Sequence, residues 1–341
     1  MVMMYALMFV LILLTELLYF KIADKFNIID KPNERSSHSS IVLRGGGVIF
    51  SLSMVAWAVM MLILGDLNVV WGYLPFLVGL LIVAVVSFVD DVRSLPDSVR
   101  LVAQFVAMAL MFWSMGIMHW NMWWIVAIAL VVCVGATNVI NFMDGINGIT
   151  AGYSLAVLLP LVLLNNKLEF VDPSFLIVAS IGVLVFCLFN FRPKGKAKCF
   201  AGDVGSISIA FIMLFAIGRL VVMTQDVTYL IFLLVYGVDG CLTICHRILL
   251  HENLGEAHRK HAYQLMANEL KIGHMKVSVV YMAIQIAVSL GFIYLCPNTV
   301  AAHWGYMVGS LIALSLAYIL FKKKYYHLHE EYLAGLTMVN K

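Results

Sequence analysis

A polar segment at residues 137–150 interrupts two long apolar runs. Within it Asn138, Asn141 and Asp144 recur every three residues, a spacing that aligns side chains along one face at the end of a helix. Polar groups buried in apolar surroundings without partners are strongly destabilising, so such a cluster indicates a function. Amide and carboxylate oxygens are also the ligands that Mg²⁺ prefers. A polar helix end with turn glycines is the alternative, purely structural interpretation.

Further carboxylates stand where other apolar runs begin or end. Asp90 and Asp91 close one run, and Asp203 opens another within a Gly-Asp-Val-Gly sequence. Adjacent carboxylates repel each other unless a cation or a proton relieves the repulsion. The pair could instead cap the next helix, whose first turn favours negative charge. Together with Asn141 and Asp144, the three aspartates predict a metal-dependent phosphoryl-transfer site at a membrane surface.

Two glycine-containing basic segments have the composition of phosphate-binding loops. Residues 23–47 end in Arg44 followed by three glycines, and in residues 192–206 four cations precede Phe200 and the Gly-flanked aspartate. Glycines let the backbone approach a ligand closely, and cations with a helix N-terminus bind anions. A basic loop that contacts lipid headgroups is the alternative interpretation of the first segment.

The longest polar loop, at about 246–275, combines imidazoles with cations. His258, Arg259 and His261 lie close together within it, and such a mixture suits a diphosphate. The histidine spacing also allows a zinc site, but no cysteine accompanies the histidines, which makes zinc the weaker interpretation.

The bulk composition predicts a membrane protein. Of the 341 residues, 63% are hydrophobic and 12% are charged, which leaves too little polar surface for a water-soluble globule of this size. Apolar runs recur at lengths near the ~20 residues that cross a bilayer. We predict an all-α, polytopic integral membrane protein that forms a single domain over residues 1–341. Its eleven spans are predicted at 2–20, 46–64, 69–89, 99–117, 122–140, 149–165, 174–191, 206–223, 228–245, 276–295 and 304–321.

The distribution of Lys and Arg predicts the orientation of these spans. With eleven spans, all but two of the 22 Lys and Arg residues fall on the side that follows the odd-numbered spans, the exceptions being Lys167 and Arg219. Because basic loops stay in the cytoplasm, this side is predicted to be cytoplasmic and the N-terminus to face outside. All the polar segments described above fall on the same cytoplasmic side.

Three of these motifs carry a resemblance to a known family. They are Asn-x-x-Asn-Phe-x-Asp-Gly-Ile-Asn-Gly from Asn138, the Asp90-Asp91 pair, and Phe-Ala-Gly-Asp-Val-Gly-Ser from Phe200. In their order along most of the chain they resemble the polyprenyl-phosphate N-acetylhexosamine-1-phosphate transferases, which include the phospho-N-acetylmuramoyl-pentapeptide transferases.

The resemblance implies a multi-pass enzyme of the bacterial inner membrane with a cytoplasmic active site. Such enzymes transfer N-acetylhexosamine-1-phosphate from a UDP-sugar to undecaprenyl phosphate, release UMP and initiate lipid-linked cell-envelope polysaccharide synthesis. Mg²⁺ is the implied cofactor, with Mn²⁺ as a substitute. The implied partners are the UDP-N-acetylhexosamine, undecaprenyl phosphate, membrane lipids and a second copy of the chain, and no nucleic acid is expected.

Carried over position by position, the resemblance also implies roles for individual residues. Asp90, Asp91 and Asp144 would be catalytic, with Asp90 deprotonating or orienting the lipid phosphate. Asn141 and Asp203 would hold the metal, and Phe200 matches the aromatic residue that packs on uracil. The implied substrate-binding residues are Asn138, Phe200, His258, Arg259, His261, Arg44 and Asn147, of which Arg259 and His261 fall where the family binds the diphosphate.

The last loop and the first loop narrow the resemblance to one branch. The sequence from His258 to Gln264, with residues 33–38, looks like the branch that starts O-antigen and other surface polysaccharides, including lipopolysaccharide, sometimes from 6-deoxy-N-acetylhexosamines. The first loop departs from the family because Ile41-Val42-Leu43 replaces its prolines.

Two other classes remain as alternatives. A membrane transporter would place its polar residues near mid-bilayer, often in paired broken helices. Another Mg²⁺-dependent lipid enzyme, a CDP-alcohol phosphotransferase, would need an Asp-Gly-x-x-Ala-Arg continuation that Asp144-Gly145 lacks.

Overall fold

The computed structural model describes residues 2–30, 42–118, 121, 123–255 and 258–339. The branch-specific residues 33–38 and Ile41 lie outside these described residues. Within them the chain forms twelve α-helices and one pair of two-residue strands. The helices are α1 (Val2–Lys25), α2 (Val48–Leu64), α3 (Leu67–Val92), α4 (Asp97–Ser114), α5 (Trp123–Phe142), α6 (Ile149–Leu168), α7 (Pro173–Asn190), α8 (Gly202–Thr224), α9 (Leu234–Leu249), α10 (Ala262–Asn268), α11 (His274–Tyr294) and α12 (Val300–Val339). The hairpin pairs β1 (Ile29–Asp30) with β2 (Val42–Leu43) in antiparallel register, and a 3₁₀ helix, Val227–Leu233, leads into α9.

Each of the eleven predicted spans coincides with one of the long helices. Over the described part of the chain, nine helical segments are long and apolar enough to cross a membrane. The other two are α2, which is apolar but has 17 residues, and α4, whose first half carries Asp97, Arg100 and Gln104. The prediction of an all-α, multi-pass membrane protein is therefore confirmed.

The helices α10 and α12 depart from the predicted boundaries. The span expected to end at residue 321 continues to Val339 as a 40-residue helix, because the sequence after 321 contains neither a proline nor a glycine before Gly335. The predicted loop at 246–275 also contains the short helix α10. The helical extension of α12 therefore reaches the same end of the protein as the last polar loop.

The core is built around α6, α7 and α8, which are the most deeply buried spans. Phe76 of α3 stacks on Phe211 of α8 with ring centroids 5.5 Å apart, and its ring lies 4.2 Å from that of Phe215. By contrast, α1 and α12 expose leucine, valine and isoleucine side chains along their lengths, as expected of surfaces that face lipid. The buried helices therefore form the fixed frame to which the polar loops are attached.

Glycines allow two helix contacts that determine where the polar residues lie. A Cβ at Gly47, just before α2, would stand 2.3 Å from the Gly205 Cα of α8, so the two backbones touch. A Cβ at Gly79 of α3 would stand 2.8 Å from the carbonyl oxygen of Ala107 in α4. The first contact places the loop of Arg44 beside the start of α8, and the second aligns α3 with α4.

We predict that Gly79→Ala destabilises the protein, because the added methyl group must push α4 away from α3. Overpacking of this kind costs about 1–3 kcal/mol, and thermal unfolding in detergent should show a lower Tm. Gly72→Ala is the matched control on the same helix, since a Cβ there meets no atom within 4 Å. Equal Tm values for the two variants would contradict the proposed contact between α3 and α4.

Candidate active site

Two neighbouring cavities collect most of the predicted site residues. The first, the Asp203 cavity, has a volume of about 320 Å³ and is lined by Arg44, Asn141, Asp144, Asn147, Phe200 and Asp203, among others. The second, the His261 cavity, has a volume of about 410 Å³, and its lining includes Arg100, Gln104, Asn138, Arg247, His258 and His261. Phe142, the last residue of α5, lines both, so the cavities adjoin at this ring.

Asp91 binds the first turn of α8 to the first loop. Its two carboxylate oxygens accept the backbone N–H groups of Asp203 and Val204, each at 3.0 Å, and its Oδ1 lies 2.8 Å from Arg44 Nε. Gly202 permits this approach, because a Cβ there would stand 2.5 Å from Asp91 Oδ2. Asp91 thus caps α8, whereas the alternative interpretation had the aspartate pair capping α4. Its catalytic role stays a prediction.

Asp90 and Asp203 are bridged by a cation that the sequence interpretation missed. Arg100 of α4 places Nε 3.2 Å from Asp90 Oδ2 and Nη2 3.2 Å from Asp203 Oδ2, and its Nη1 lies 3.6 Å from Asp97. Asp90 also accepts the Leu95 N–H at 2.6 Å. The sequence did contain a local signal for this contact. A cation in the first turn of a helix is unfavourable beside the helix dipole, so Arg100 implies a carboxylate nearby.

Asn141 and Asp144 contribute oxygens to the Asp203 cavity. Ser206 Oγ donates to Asn141 Oδ1 at 2.5 Å, and Thr150 Oγ1 donates to Asp144 Oδ1 at 2.5 Å. Burial raises the pKa of Asp144 to about 6, with the Thr150 hydrogen bond acting in the opposite direction. At neutral pH the carboxylate therefore remains mostly ionised and can act as a base or a ligand.

Asn138 and Asp144 border different cavities, so the predicted polar face of α5 is not continuous. Its Nδ2 donates to Gln104 Oε1 at 2.7 Å and to the Val134 carbonyl at 2.8 Å, and the residue lines the His261 cavity. Asp144 lies beyond the end of α5 at Phe142, so helical spacing no longer aligns it with Asn138. The expectation of one continuous polar face is therefore wrong for Asp144, although all three residues border the adjoining cavities.

Phe200 is positioned by the first loop. Its backbone N–H donates to the Leu43 carbonyl at 2.8 Å, and its own carbonyl accepts the Gly46 N–H at 2.8 Å. Leu43 forms an isolated bridge to Cys199 beside it. These bonds hold the aromatic ring at the wall of the Asp203 cavity, which is a suitable place for a planar base to stack.

The two histidines of the last loop occupy the His261 cavity. Their ring centroids lie 5.0 Å apart, and His261 Nδ1 stands 3.4 Å from Asp239 Oδ1. Burial, with the nearby charges of His261 and Arg247, lowers the pKa of His258 to about 3, so His258 is neutral at physiological pH. Asp239 was missed by the sequence interpretation, although an acid inside an apolar span was a signal for it.

Two predicted substrate-binding residues contact neighbouring loops and helices instead. Arg259 donates from Nη1 to the Tyr332 hydroxyl at 3.1 Å, stacks over that ring and lies 3.5 Å from Glu269, and it is not among the residues that line either cavity. Asn147 borders the Asp203 cavity, but its Nδ2 donates to the Arg192 and Pro193 carbonyls at 3.0 Å each. Substrate binding by these two residues stays a prediction.

The donor set of the Asp203 cavity fits a hard cation. Asn141, Asp144 and Asp203 offer amide and carboxylate oxygens, which suit Mg²⁺ better than zinc. Within the described ranges, no three carboxylate, imidazole or thiolate side chains are close enough to form a metal site by themselves. Mg²⁺ tolerates such a site, because it keeps several waters and takes further ligands from substrate phosphates.

Comparison with known proteins agrees with these motifs. Residues 73–224 match glycosyl transferase family 4. The chain is 27% identical over 293 residues to a probable undecaprenyl-phosphate N-acetylglucosaminyl 1-phosphate transferase of Bacillus subtilis, an alignment that covers 80% of this chain and 77% of that protein.

Similarity to a second group of transferases is more local. The chain is 30% identical over 121 residues to the phospho-N-acetylmuramoyl-pentapeptide-transferase of Thermotoga maritima, covering 36% of this chain and 37% of that protein. The corresponding enzyme of Deinococcus radiodurans is 40% identical over 78 residues, or 23% of this chain and 22% of that protein. The family match runs from α3 to the end of α8, so the similarity to polyprenyl-phosphate hexosamine-1-phosphate transferases covers the helices that carry Asp90, Asp91, Asn141 and Asp203.

Proposed function

We propose that this protein transfers N-acetylhexosamine-1-phosphate from a UDP-sugar to undecaprenyl phosphate and releases UMP. The observation that carries the proposal is the convergence of Asp90, Asp144 and Asp203 with Arg44 and Arg100 around two adjoining cavities. The name of the Bacillus subtilis relative, which specifies an undecaprenyl-phosphate acceptor, supports the choice of acceptor.

The reaction requires two anionic substrates to approach each other. An oxygen of the lipid phosphate attacks the phosphorus that carries the sugar, the P–O bond to UMP breaks, and UMP leaves with the bridging oxygen. The sugar C1–O bond is untouched, so the anomeric configuration is retained. Arg44 and Arg100 supply positive charge that offsets the repulsion between the phosphates.

The remaining residues divide between the two substrates in our proposal. Asn141 and Asp203 would hold Mg²⁺, which when bound neutralises charge on the phosphate oxygens. Phe200 would pack on the uracil, and Asp90 would orient or deprotonate the acceptor phosphate after exchanging its Arg100 contact for the substrate. The ionised Asp144 is available as a second base or ligand.

A transporter is the less suitable alternative. The carboxylates and arginines lie where α3, α5 and α8 begin or end, together with the loops between them. A transporter would instead concentrate such groups near the middle of the bilayer. Release of UMP that depends on substrate separates the two classes, because transport releases no UMP.

We propose that the site faces the cytoplasm of a bacterium, from the inner membrane. The bias of Lys and Arg toward the loops of the site supports this orientation, and it gives the enzyme access to cytosolic UDP-sugars. The last-loop sequence from His258 to Gln264 supports a role in O-antigen, lipopolysaccharide or related surface-polysaccharide synthesis, with an N-acetylhexosamine or its 6-deoxy relative as the donated sugar.

The proposed function makes a first prediction about the sugar donor and the metal. Purified protein with undecaprenyl phosphate and Mg²⁺ should release UMP from a UDP-N-acetylhexosamine or its 6-deoxy relative, but not from the muramoyl-pentapeptide donor. Excess EDTA should stop the release, and added Mg²⁺ or Mn²⁺ should restore it. Asp203→Asn should remove most activity, whereas Asp66→Asn makes the same change at an exposed carboxylate outside the site and should not. Full turnover in EDTA would refute the metal proposal.

A second prediction concerns the bridging arginine. Arg100→Gln should lower kcat/KM by about 100-fold, because it removes a positive charge that both Asp90 and the substrates need. Arg100→Lys should lie in between, since one ammonium group cannot reproduce the two-sided contact. Arg93→Gln removes an equal charge from an exposed residue just beyond α3 and serves as the matched control. If both glutamine variants have the same kcat/KM, Arg100 has no special role.

The third prediction tests orientation. Single cysteines at positions 167 and 196, introduced into a cysteine-free chain, occupy exposed sites that the predicted topology puts on opposite sides of the membrane. In intact cells an impermeant maleimide should label Lys167→Cys, and it should reach Lys196→Cys only after permeabilisation. The reverse pattern would separate the site from cytosolic UDP-sugars and overturn the proposed localisation.

A further inference from the structure

Asp239 is a buried carboxylate of α9 that no predicted role includes. Its oxygens accept the Tyr281 hydroxyl at 2.6 Å, the Ala262 N–H at 3.0 Å and the Tyr263 N–H at 3.4 Å. The same carboxylate faces His261 Nδ1 at 3.4 Å. Four groups from α10, its N-cap and α11 therefore converge on one acidic side chain.

This arrangement determines which nitrogen of His261 carries a proton. An ionised carboxylate can only accept hydrogen bonds, so the nitrogen that faces Asp239 must be the donor. The other nitrogen, Nε2, is buried and has no hydrogen-bond partner among the described residues. The ring also lines the His261 cavity next to Arg100 and Asn138. An unpartnered buried nitrogen at a cavity wall is independent of the Asp239 contact, and it indicates a polar ligand.

We propose that Asp239 is a positioning residue that keeps His261 protonated and oriented, so that His261 Nε2–H donates to a phosphoryl oxygen of the sugar nucleotide. This inference rests on the proposed function, since it needs a diphosphate in the His261 cavity. The pairing follows a general arrangement in which a buried carboxylate fixes the orientation of a histidine and stabilises its charged form. Asp239 itself touches no substrate.

The surroundings make Asp239 the group that compensates the charge on His261. His258, whose ring centroid lies 5.0 Å from that of His261, is neutral because burial and nearby cations lower its pKa. Other titratable or charged groups near the pair include Tyr236 and Arg247 of α9, Tyr263 of α10, Tyr281 of α11, and Tyr318 and Lys322 of α12. The two cations among them oppose a positive imidazole, so loss of Asp239 would favour the neutral ring.

A purely structural role for Asp239 makes different predictions. The carboxylate also fixes the start of α10 through two backbone N–H groups, so its replacement could weaken the fold alone. Tyr281→Phe separates the two roles, because it removes one hydrogen bond from the same carboxylate and leaves the charge in place. An effect on the protonation of His261 should follow the charge, whereas an effect on packing should appear in both variants.

The test measures UMP release against pH for wild type, Asp239→Asn, Asp239→Glu and Tyr281→Phe in detergent. In Asp239→Asn we expect kcat to fall at least about tenfold, and the fall of activity at high pH to begin about one pH unit lower. Asp239→Glu should restore part of both. In Tyr281→Phe, the pH at which activity falls on the alkaline side should be unchanged or higher. The inference would be overturned if a folded Asp239→Asn variant lost activity at the same alkaline pH as the wild type.

A double-mutant cycle keeps the inference testable if Asp239→Asn is unstable. If Asp239 acts through His261, adding Asp239→Asn to His261→Gln should lower kcat little further, whereas independent structural damage would multiply the two losses. Melting curves of all four proteins identify any loss of folded enzyme. Wild-type protein that releases no UMP from any UDP-sugar would refute the proposed function, and active wild type with multiplicative losses would refute only the role of Asp239.

Discussion

The buried carboxylate of Asp91 is the contact on which the geometry of the site depends. It joins three segments that are far apart in sequence, since it comes from α3, caps α8 and binds Arg44 of the first loop. The adjoining contact of Gly47 with Gly205 allows this close approach, because neither position has room for a side chain. Phe200 and Asp203 thereby reach the same cavity as Arg44, although Arg44 belongs to a distant segment. A buried charge of this kind is tolerated only with such complete pairing.

Charge compensation explains why the proposed catalytic groups lie at helix ends. At the ends of membrane helices, free backbone N–H groups and loop cations can compensate carboxylates that hydrocarbon would not tolerate. The same compensation applies to a cation. Arg100 lies in the first turn of α4, where a positive charge is unfavourable, and Asp90, Asp97 and Asp203 surround it. The two arginines therefore offset part of the charge of these carboxylates before any substrate arrives, and a phosphate could enter by exchanging for a carboxylate at an arginine.

The sequence predicted the helices and most polar clusters, because both signals are local. Long apolar runs define spans, and motifs such as Asn138 to Gly148 stand out against them. It did not predict pairings between distant helices, so Arg100 and Asp239 were missed. Helical periodicity also fails where a helix ends, which is why Asn138 and Asp144 border different cavities. The contact of Arg259 with Tyr332 depends on the helical extension of α12, whose length the hydrophobic pattern did not show.

The extension of α12 gives the last loop a rigid support. Lys322 Nζ donates to the Lys260 carbonyl, Arg259 stacks over Tyr332, and His329 Nδ1 lies 3.0 Å from Glu269 of the loop that follows α10. Together with Asp239 of α9, these contacts hold both ends of the segment that contains His258 and His261. If a diphosphate binds here as proposed, a loop fixed from two helices would lose little conformational entropy, so more of the binding energy would be available for orienting the phosphates.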